Sequence, residues 1–386
     1  MFERMKTTTI GYVCADNPFT DRKAWSGTIY KIRESIEQAG FDLVWIPYRR
    51  ETVRLRIRSL IKALKRKAFG RNLMDGVHCE PMVREYARTI DMSLVDKCDY
   101  LFFPGGAQIS LFLKTEKPVI YYTDATVHVM DGYYWKNIEE KSMTAAKQLE
   151  ERASRHAFLN IRASQWAIDS VVNDCHCDKA NCHVLEFGPN IDIKDVIPIT
   201  PYGGGRFQIL FSGVDWERKG GAIAVETVRL LRAKGLDAYL TVVGPSVCPK
   251  ECVDKEYVIF LGFLDKNLSE DYIRYINLWQ GSHLFLLPTK AECAGVVFSE
   301  ASAFGIPSYT YATGGTTNYV VNDCNGYAFA PDATADDFAE KIFSDLHEGR
   351  LSQYHANALK LHHEKLSWEA WSKRFRDLIR ASHFNQ

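Results

Sequence analysis

No stretch of the sequence approaches the ~18 uninterrupted apolar residues that would carry a helix across a bilayer. The apolar segment from Thr7 to Cys14 is too short and too β-like for a secretory leader, so the expectation is a cytoplasmic protein. Net charge is missing too. Against 48 Lys and Arg stand 48 Asp and Glu, and this balance gives no reason to expect nucleic acid as a partner. Internal repeats and low-complexity segments are absent, which argues against a repeat array. The ten cysteines are scattered and read as reduced thiols. Their densest cluster, Cys175, His176, Cys177, Cys182 and His183, lacks the Cys-x2-Cys spacing of a zinc ribbon or finger and reads as a connector. No Asp-x-Asp motif stands in a strand-end loop, so neither a metal nor a resident cofactor is expected.

What remains is the composition of an ordinary globular protein, 46% apolar and 25% charged, in a chain too long for one typical core. Apolar strand-like runs recur at Thr9–Cys14, Phe41–Pro47, Tyr100–Pro104, Pro118–Thr123, Ala157–Ile161 and His183–Phe187. Helical patterns such as Trp25–Ala39, Met82–Lys97 and Ile138–Arg155 lie between them. From Pro189 to Arg206 three prolines and a Gly-Gly-Gly run break the pattern. It then resumes with strands Phe207–Gly213, Ala238–Gly244, Val258–Phe263, His283–Pro288 and Pro307–Ala312, and helices Gly220–Lys234, Ser269–Gln280 and Val296–Phe304. Strands that are apolar throughout, alternating with helices, predict two successive parallel α/β domains. The expected limits are 1–198 and 199–365, followed by a C-terminal helix within 366–386 carrying Trp368, Trp371 and Phe375. Two Rossmann-like domains imply a cleft, and ligands of open α/β sheets bind outside the carboxyl ends of the strands.

One strand end carries readable chemistry. After His283–Pro288 come Glu292, Cys293, Ala294 and Gly295, and a helix opens at Val296. Backbone N–H groups of Ala294, Gly295 and Val296 at a helix start, with the positive end of its dipole, suit a diphosphate. Glu300 follows within two turns, where a carboxylate can accept both hydroxyls of a ribose. Glu292, in the loop, is placed for sugar hydroxyls. After Phe207–Gly213, the adjacent cations Arg218 and Lys219 stand ready to neutralise a leaving diphosphate. The run Thr313-Gly314-Gly315 adds small residues at the same strand end, and Asp124, Thr126 and His128 follow Pro118–Thr123. All three are acceptor-side candidates: Asp124, at the strand end, for contact with a sugar or with the hydroxyl that accepts it, and His128 for the same. Trp216 reads as a packing residue beside the cationic loop.

The stretch from Pro288 through Glu292, Glu300, Gly305 and Pro307 to Gly314-Gly315 and Asn325-Gly326 resembles the Glu-x7-Glu region of glycosyltransferase family 4. Phe211-Ser-Gly213 with Glu217-Arg-Lys219-Gly220 is similar to that family's phosphate-side motif. Trp25-Ser26-Gly27, Ser164-Gln-Trp166-Ala167 and Phe187-Gly188-Pro-Asn190 also fit, so the resemblance covers nearly the whole chain. It implies a retaining enzyme of the GT-B fold, whose C-terminal helix returns to the first domain. By the same resemblance Glu300 binds the ribose, Glu292 the donor sugar, Arg218 and Lys219 the diphosphate, and Gly27 lies beneath that diphosphate. Many members have arginine directly after the residue matching Gly213. Here it is Val214, which leaves open whether Arg218 or Lys219 makes the main phosphate contact.

The expected activity is therefore metal-independent transfer of a hexosyl unit from a nucleotide-diphosphate sugar to a glycan or lipid-linked acceptor, as in polysaccharide biosynthesis. A nucleotide-sugar 2-epimerase of the same shape and a non-catalytic sugar-nucleotide-binding scaffold are the competing readings. A basic stretch, 54–71, surrounds Leu60, Ile61, Leu64 and Ala68 on one helix face with eight Lys and Arg. It reads either as a peripheral membrane contact on the inner face or as a solvated domain helix.

Overall fold

A computed structural model describes residues 8–51 and 72–383. The basic stretch 54–71 lies outside the described residues. Two compact units are present, one formed by Met1–Leu185 with Ser372–Gln386 and the other by Glu186–Trp371.

In the first unit six strands form one parallel sheet: β1 (Thr9–Val13), β2 (Asp42–Ile46), β3 (Tyr100–Pro104), β4 (Val119–Thr123), β5 (Leu159–Arg162) and β6 (Cys182–Val184). Their order is β2-β1-β3-β4-β5-β6. Every residue of β3 and of β5 is buried, as expected of central strands in a parallel sheet. The second unit repeats this plan with β7 (Phe207–Ser212), β8 (Ala238–Val243), β9 (Val258–Gly262), β10 (Leu284–Leu287), β11 (Ser308–Tyr311) and β12 (Gly326–Phe329). Their order is β12-β11-β10-β7-β8-β9, again parallel. This is the GT-B fold of two Rossmann-like domains.

Each order reverses once. The reversal falls between β1 and β3 in the first sheet and between β7 and β10 in the second. Connections leave such a point toward opposite faces of the sheet, so the loops after its two strands open a crevice. In the second unit those loops are 213–220 and 288–295.

Three expectations are corrected in detail. The helix expected over Trp25–Ala39 begins only at Thr28, because Trp25, Ser26 and Gly27 all take left-handed backbone (φ 49°, 57° and 92°). The helix expected over Met82–Lys97 is broken into Glu80–Arg88 and Met92–Val95. Asp91 ends the interruption by accepting a hydrogen bond from Ser93 N at 2.9 Å, an Asx-type cap that competes with a continuous helix. The unit boundary falls before the Pro- and Gly-rich segment rather than within it. From Phe187 onward the backbone bonds within the second unit: Phe187 N donates to Tyr319 Oη (3.0 Å), Ser299 Oγ donates to Phe187 O (2.7 Å), and Ile199 N donates to Phe304 O (3.0 Å).

Three helices, Gln165–Asn173, Ala335–His347 and Arg350–Leu361, and strand β12 complete the alternation beyond the elements expected. The helix Trp368–His383 begins in the second unit, where Trp371 is fully buried and Trp368 Nε1 donates to Pro189 O at 2.9 Å. From Ser372 it belongs to the first unit: Ser372 Oγ donates to Ser35 O (2.9 Å), and the Phe375 ring packs edge-on against Phe41 (5.6 Å) and Phe102 (5.7 Å). Among the described residues no helix is long and apolar enough to cross a membrane.

Candidate functional site

Gly295 caps the helix Val296–Phe304 with φ 95° and ψ 53°. A Cβ there would lie 2.6 Å from Phe298 Cδ2, so the turn is restricted to glycine by both conformation and space. Phe298 N donates to Gly295 O at 2.9 Å, which closes the first turn. The N–H groups that precede it, Val296 among them, have no intrahelical acceptor and give the helix start its anion-binding character. Ala294, just before the turn, is buried.

The loop after β7 meets this turn. Gly213 ends the strand by donating to Val243 O at 3.0 Å, and Asp215 then folds the loop, accepting Lys219 N at its carbonyl (2.9 Å) and Arg218 N at Oδ1 (3.1 Å). Gly220 lets the loops touch. It has φ 74°, and a Cβ there would sit 2.0 Å from Pro288 O. Contact is then made directly: Lys290 N donates to Arg218 O at 2.8 Å, and Arg218 Nη1 donates to Ala291 O at 3.0 Å. From the loop after β11, Gly315 N donates to Glu292 O (3.0 Å) and Thr313 Oγ1 to Thr289 O (2.9 Å).

Three strand-end loops thus converge, and with them Gly213, Arg218, Lys219, Glu292, Ala294, Gly295, Val296 and Gly315. The Lys219 ammonium pairs with the Glu292 carboxylate, and the two side chains are only 12% and 14% exposed. Arg218 is oriented by Asp215 and the Ala291 carbonyl. Val214, the residue directly after Gly213, is 61% exposed. Trp216 packs on Phe211 (5.2 Å between centroids) and donates from Nε1 to Glu251 Oε2 at 3.2 Å, a packing residue as expected.

Glu300, a turn further along the helix, is 2% exposed. Burying a carboxylate is unfavourable unless it is paired and hydrogen-bonded, and here it is both. Lys266 Nζ lies 3.2 Å from Oε1, and Tyr275 Oη donates to Oε2 at 2.6 Å. Burial first, and then the negative charge of Glu300, push the Tyr275 phenol well above its ordinary range. Ser212, the last residue of β7, lies 3.3 Å from the same phenol oxygen. Lys266, Tyr275 and Ser212 were not singled out from the sequence. Helical spacing puts Tyr275 on one face with Trp279, and Trp279 stacks on Phe304 (6.0 Å, 5°). That contact turns this face toward the helix bearing Glu300.

The remaining predicted residues lie in the first unit. Gly27 (φ 92°) caps the helix Thr28–Gln38 at the end of the left-handed run that Trp25 opens. Asp124 follows β4, and its Oδ1 lies 3.4 Å from Thr123 Oγ1. It lines a concavity with Asp16, Trp25, Arg50 and Gly105, at the carboxyl ends of β1, β3 and β4. Asp16 and Arg50 form an ion pair at 2.9 Å. The two other polar residues after β4 are engaged in the fold. Thr126 is 1% exposed and caps Val127–Met130, and His128 Nε2 lies 3.2 Å from Glu151 Oε1. None of the ten cysteines forms a disulfide. Among the described residues no group of three or more His, Cys, Asp or Glu side chains is placed to hold a metal ion.

Residues 193–361 match the family model described as Glycosyl transferases group 1. Over 133 residues the chain is 33% identical to a sucrose synthase of Nitrosomonas europaea, a match covering 32% of this chain and 16% of that protein. The chain thus spans only a small part of that curated relative. A solved sucrose-phosphate synthase from Thermosynechococcus elongatus superposes with TM-score 0.68 at 14% identity, over 98% of this chain and 100% of that one. The Anabaena protein Alr3699/HepE, solved with UDP-glucose, superposes with TM-score 0.61 at 15% identity, over 97% and 99%. At such identities the likeness is one of fold.

Proposed function

We propose that this chain, whose residues 193–361 match the group 1 glycosyltransferases and whose fold is GT-B, transfers a hexosyl unit from a nucleotide-diphosphate sugar to a glycan or lipid-linked acceptor. The observation that carries the reading is the convergence, at the switch point between β7 and β10, of two cations, two carboxylates and a helix start. In this reading Glu300 takes the ribose and Glu292 the hydroxyls of the donor sugar. The N–H groups of Ala294, Gly295 and Val296 at the helix start, with Arg218 and Lys219, take the diphosphate. Asp124 in the first unit is the acceptor-side residue.

The chemistry follows from charge. Breaking the anomeric C–O bond leaves positive character on the sugar and negative charge on the diphosphate. Cations and oriented N–H groups aimed at that diphosphate stabilise the transition state more than the bound donor. No step in this scheme needs a metal. Retention of configuration is part of the proposal, carried by the likeness to family 4. Lys219 pairs with Glu292, so in this reading donor binding exchanges that ion pair for a Lys219–phosphate contact and a Glu292–sugar contact.

The test pairs binding with turnover. Melting temperature is measured against uridine and guanosine diphosphates, and the protein is then incubated with the corresponding nucleotide sugars without acceptor. A raised melting temperature and slow release of nucleoside diphosphate are expected. No shift with any nucleoside diphosphate at millimolar concentration would refute the reading. Formation of the 2-epimer, or binding with no release at all, would replace it with one of the competing activities.

A further inference from the structure

Tyr275 has one phenolic proton, and it donates that proton to Glu300 Oε2. The proton therefore lies on the 2.6 Å line to Glu300 Oε2, and any hydrogen bond at the 3.3 Å contact with Ser212 must be donated by Ser212 Oγ. The order Ser212 to Tyr275 to Glu300 runs from the end of β7, next to Gly213, to the helix headed by Gly295. Tyr275 has little freedom to leave it. The residue is 6% exposed, and its ring is held edge-on by Trp279 at 6.0 Å and 85°.

The rotation of a glutamate carboxylate about its last bond is soft and broad. Its plane must therefore be set by partners. On Oε1 the partner is Lys266 Nζ, a flexible ammonium that is 3.2 Å away and also 3.4 Å from Asn190 O. On Oε2 it is a rigid, buried phenol. We infer that Tyr275 is a positioning residue that fixes the plane of the Glu300 carboxylate and so makes this site select ribose over deoxyribose nucleotides. The inference rests on the donor reading above, with Glu300 as the ribose partner. Two vicinal hydroxyls need both carboxylate oxygens in one fixed plane, whereas a single hydroxyl is satisfied by either oxygen in many orientations. Without the phenolic hydroxyl the carboxylate turns toward Lys266, and the contact to the second hydroxyl is lost first. The phenol acts only through Glu300 and touches no reacting atom.

Tyr275→Phe keeps the ring and removes the hydroxyl, and Ser212→Ala removes the donor behind it. Calorimetric titration of the full-length protein would compare the nucleoside diphosphate that raises the melting temperature most with its 2′-deoxy counterpart. The wild type is expected to prefer the ribose form by at least about tenfold, as a site built to bind a hydroxyl does. Tyr275→Phe is expected to bring the two ligands within about threefold of each other, with the deoxy affinity nearly unchanged. Ser212→Ala should shift the ratio in the same direction by less. A merely structural role would weaken both ligands equally, so an unchanged ratio in both variants overturns the inference. A wild type that binds both forms equally overturns it as well, by removing the ribose role of Glu300. A wild type that binds neither removes the donor reading itself, a failure distinct from the other two.

Discussion

Lys219 and Glu292 sit almost out of solvent and neutralise each other. In such a pair, removing one partner leaves an uncompensated charge, and the loss exceeds what the pair itself contributed. Lys219→Met is therefore expected to act on both function and stability. For function, if Lys219 faces the diphosphate as proposed, loss of that cation should lower kcat about 100-fold, with a smaller change in the donor KM. Steady-state kinetics on the donor checks this, and equal falls in kcat for Lys219→Met and for Val214→Ala would remove the assignment. Lys219 and Glu292 stand out in the sequence by their loops. Their mutual contact does not, because it joins residues 73 positions apart. The same holds for Glu300. Its helix position is legible, but its phenolic partner Tyr275 lies 25 residues earlier and meets it across a helix contact that includes the stacking of Trp279 on Phe304.

At the scale of elements, the glycine turns are the most restrictive features of the site. Gly295→Ala would place a Cβ in left-handed backbone and against Phe298, so it is expected to destabilise the second unit by about 1–3 kcal/mol. It should also weaken nucleoside diphosphate binding, because the helix start would shift. Urea unfolding and titration of the variant test both effects. A variant as stable as the wild type would contradict the strain. The helices Ser269–Gln280 and Val296–Phe304 are legible to the residue because glycines punctuate them, Gly281 after the first and Gly295 before the second. Helix Ala335–His347 carries a local start signal, the capping box formed by Thr334 and Asp337. The break at Trp25–Gly27 had none, since an aromatic residue in left-handed backbone is held there by its surroundings and not by its own preference.

For the whole molecule, the chain's end completes the unit that its beginning builds. Phe375 and Ile379 are fully buried, and Arg374 Nη2 donates to Val184 O at 2.5 Å. Phe375→Ala should destabilise the first unit by about 3–5 kcal/mol, the range for removing a buried aromatic ring. Thermal unfolding followed by tryptophan fluorescence would show this, and a loss under ~1 kcal/mol would mean that the ring's contacts with Phe41 and Phe102 add little. The sequence by itself determined the two-sheet plan and the opening of the site helix. Apolar runs alternating with helical periods admit few other folds, and a glycine before a helix is a local feature. It also put Glu292 and Glu300 on either side of that helix start. Only the tertiary structure decided that the Pro- and Gly-rich segment belongs with the second unit, that Lys219 faces Glu292, and that Tyr275 and Lys266 hold the ribose candidate. Those outcomes depend on hydrogen bonds and charge pairs between residues far apart in the chain, and such pairings leave no periodic trace in the order of the residues.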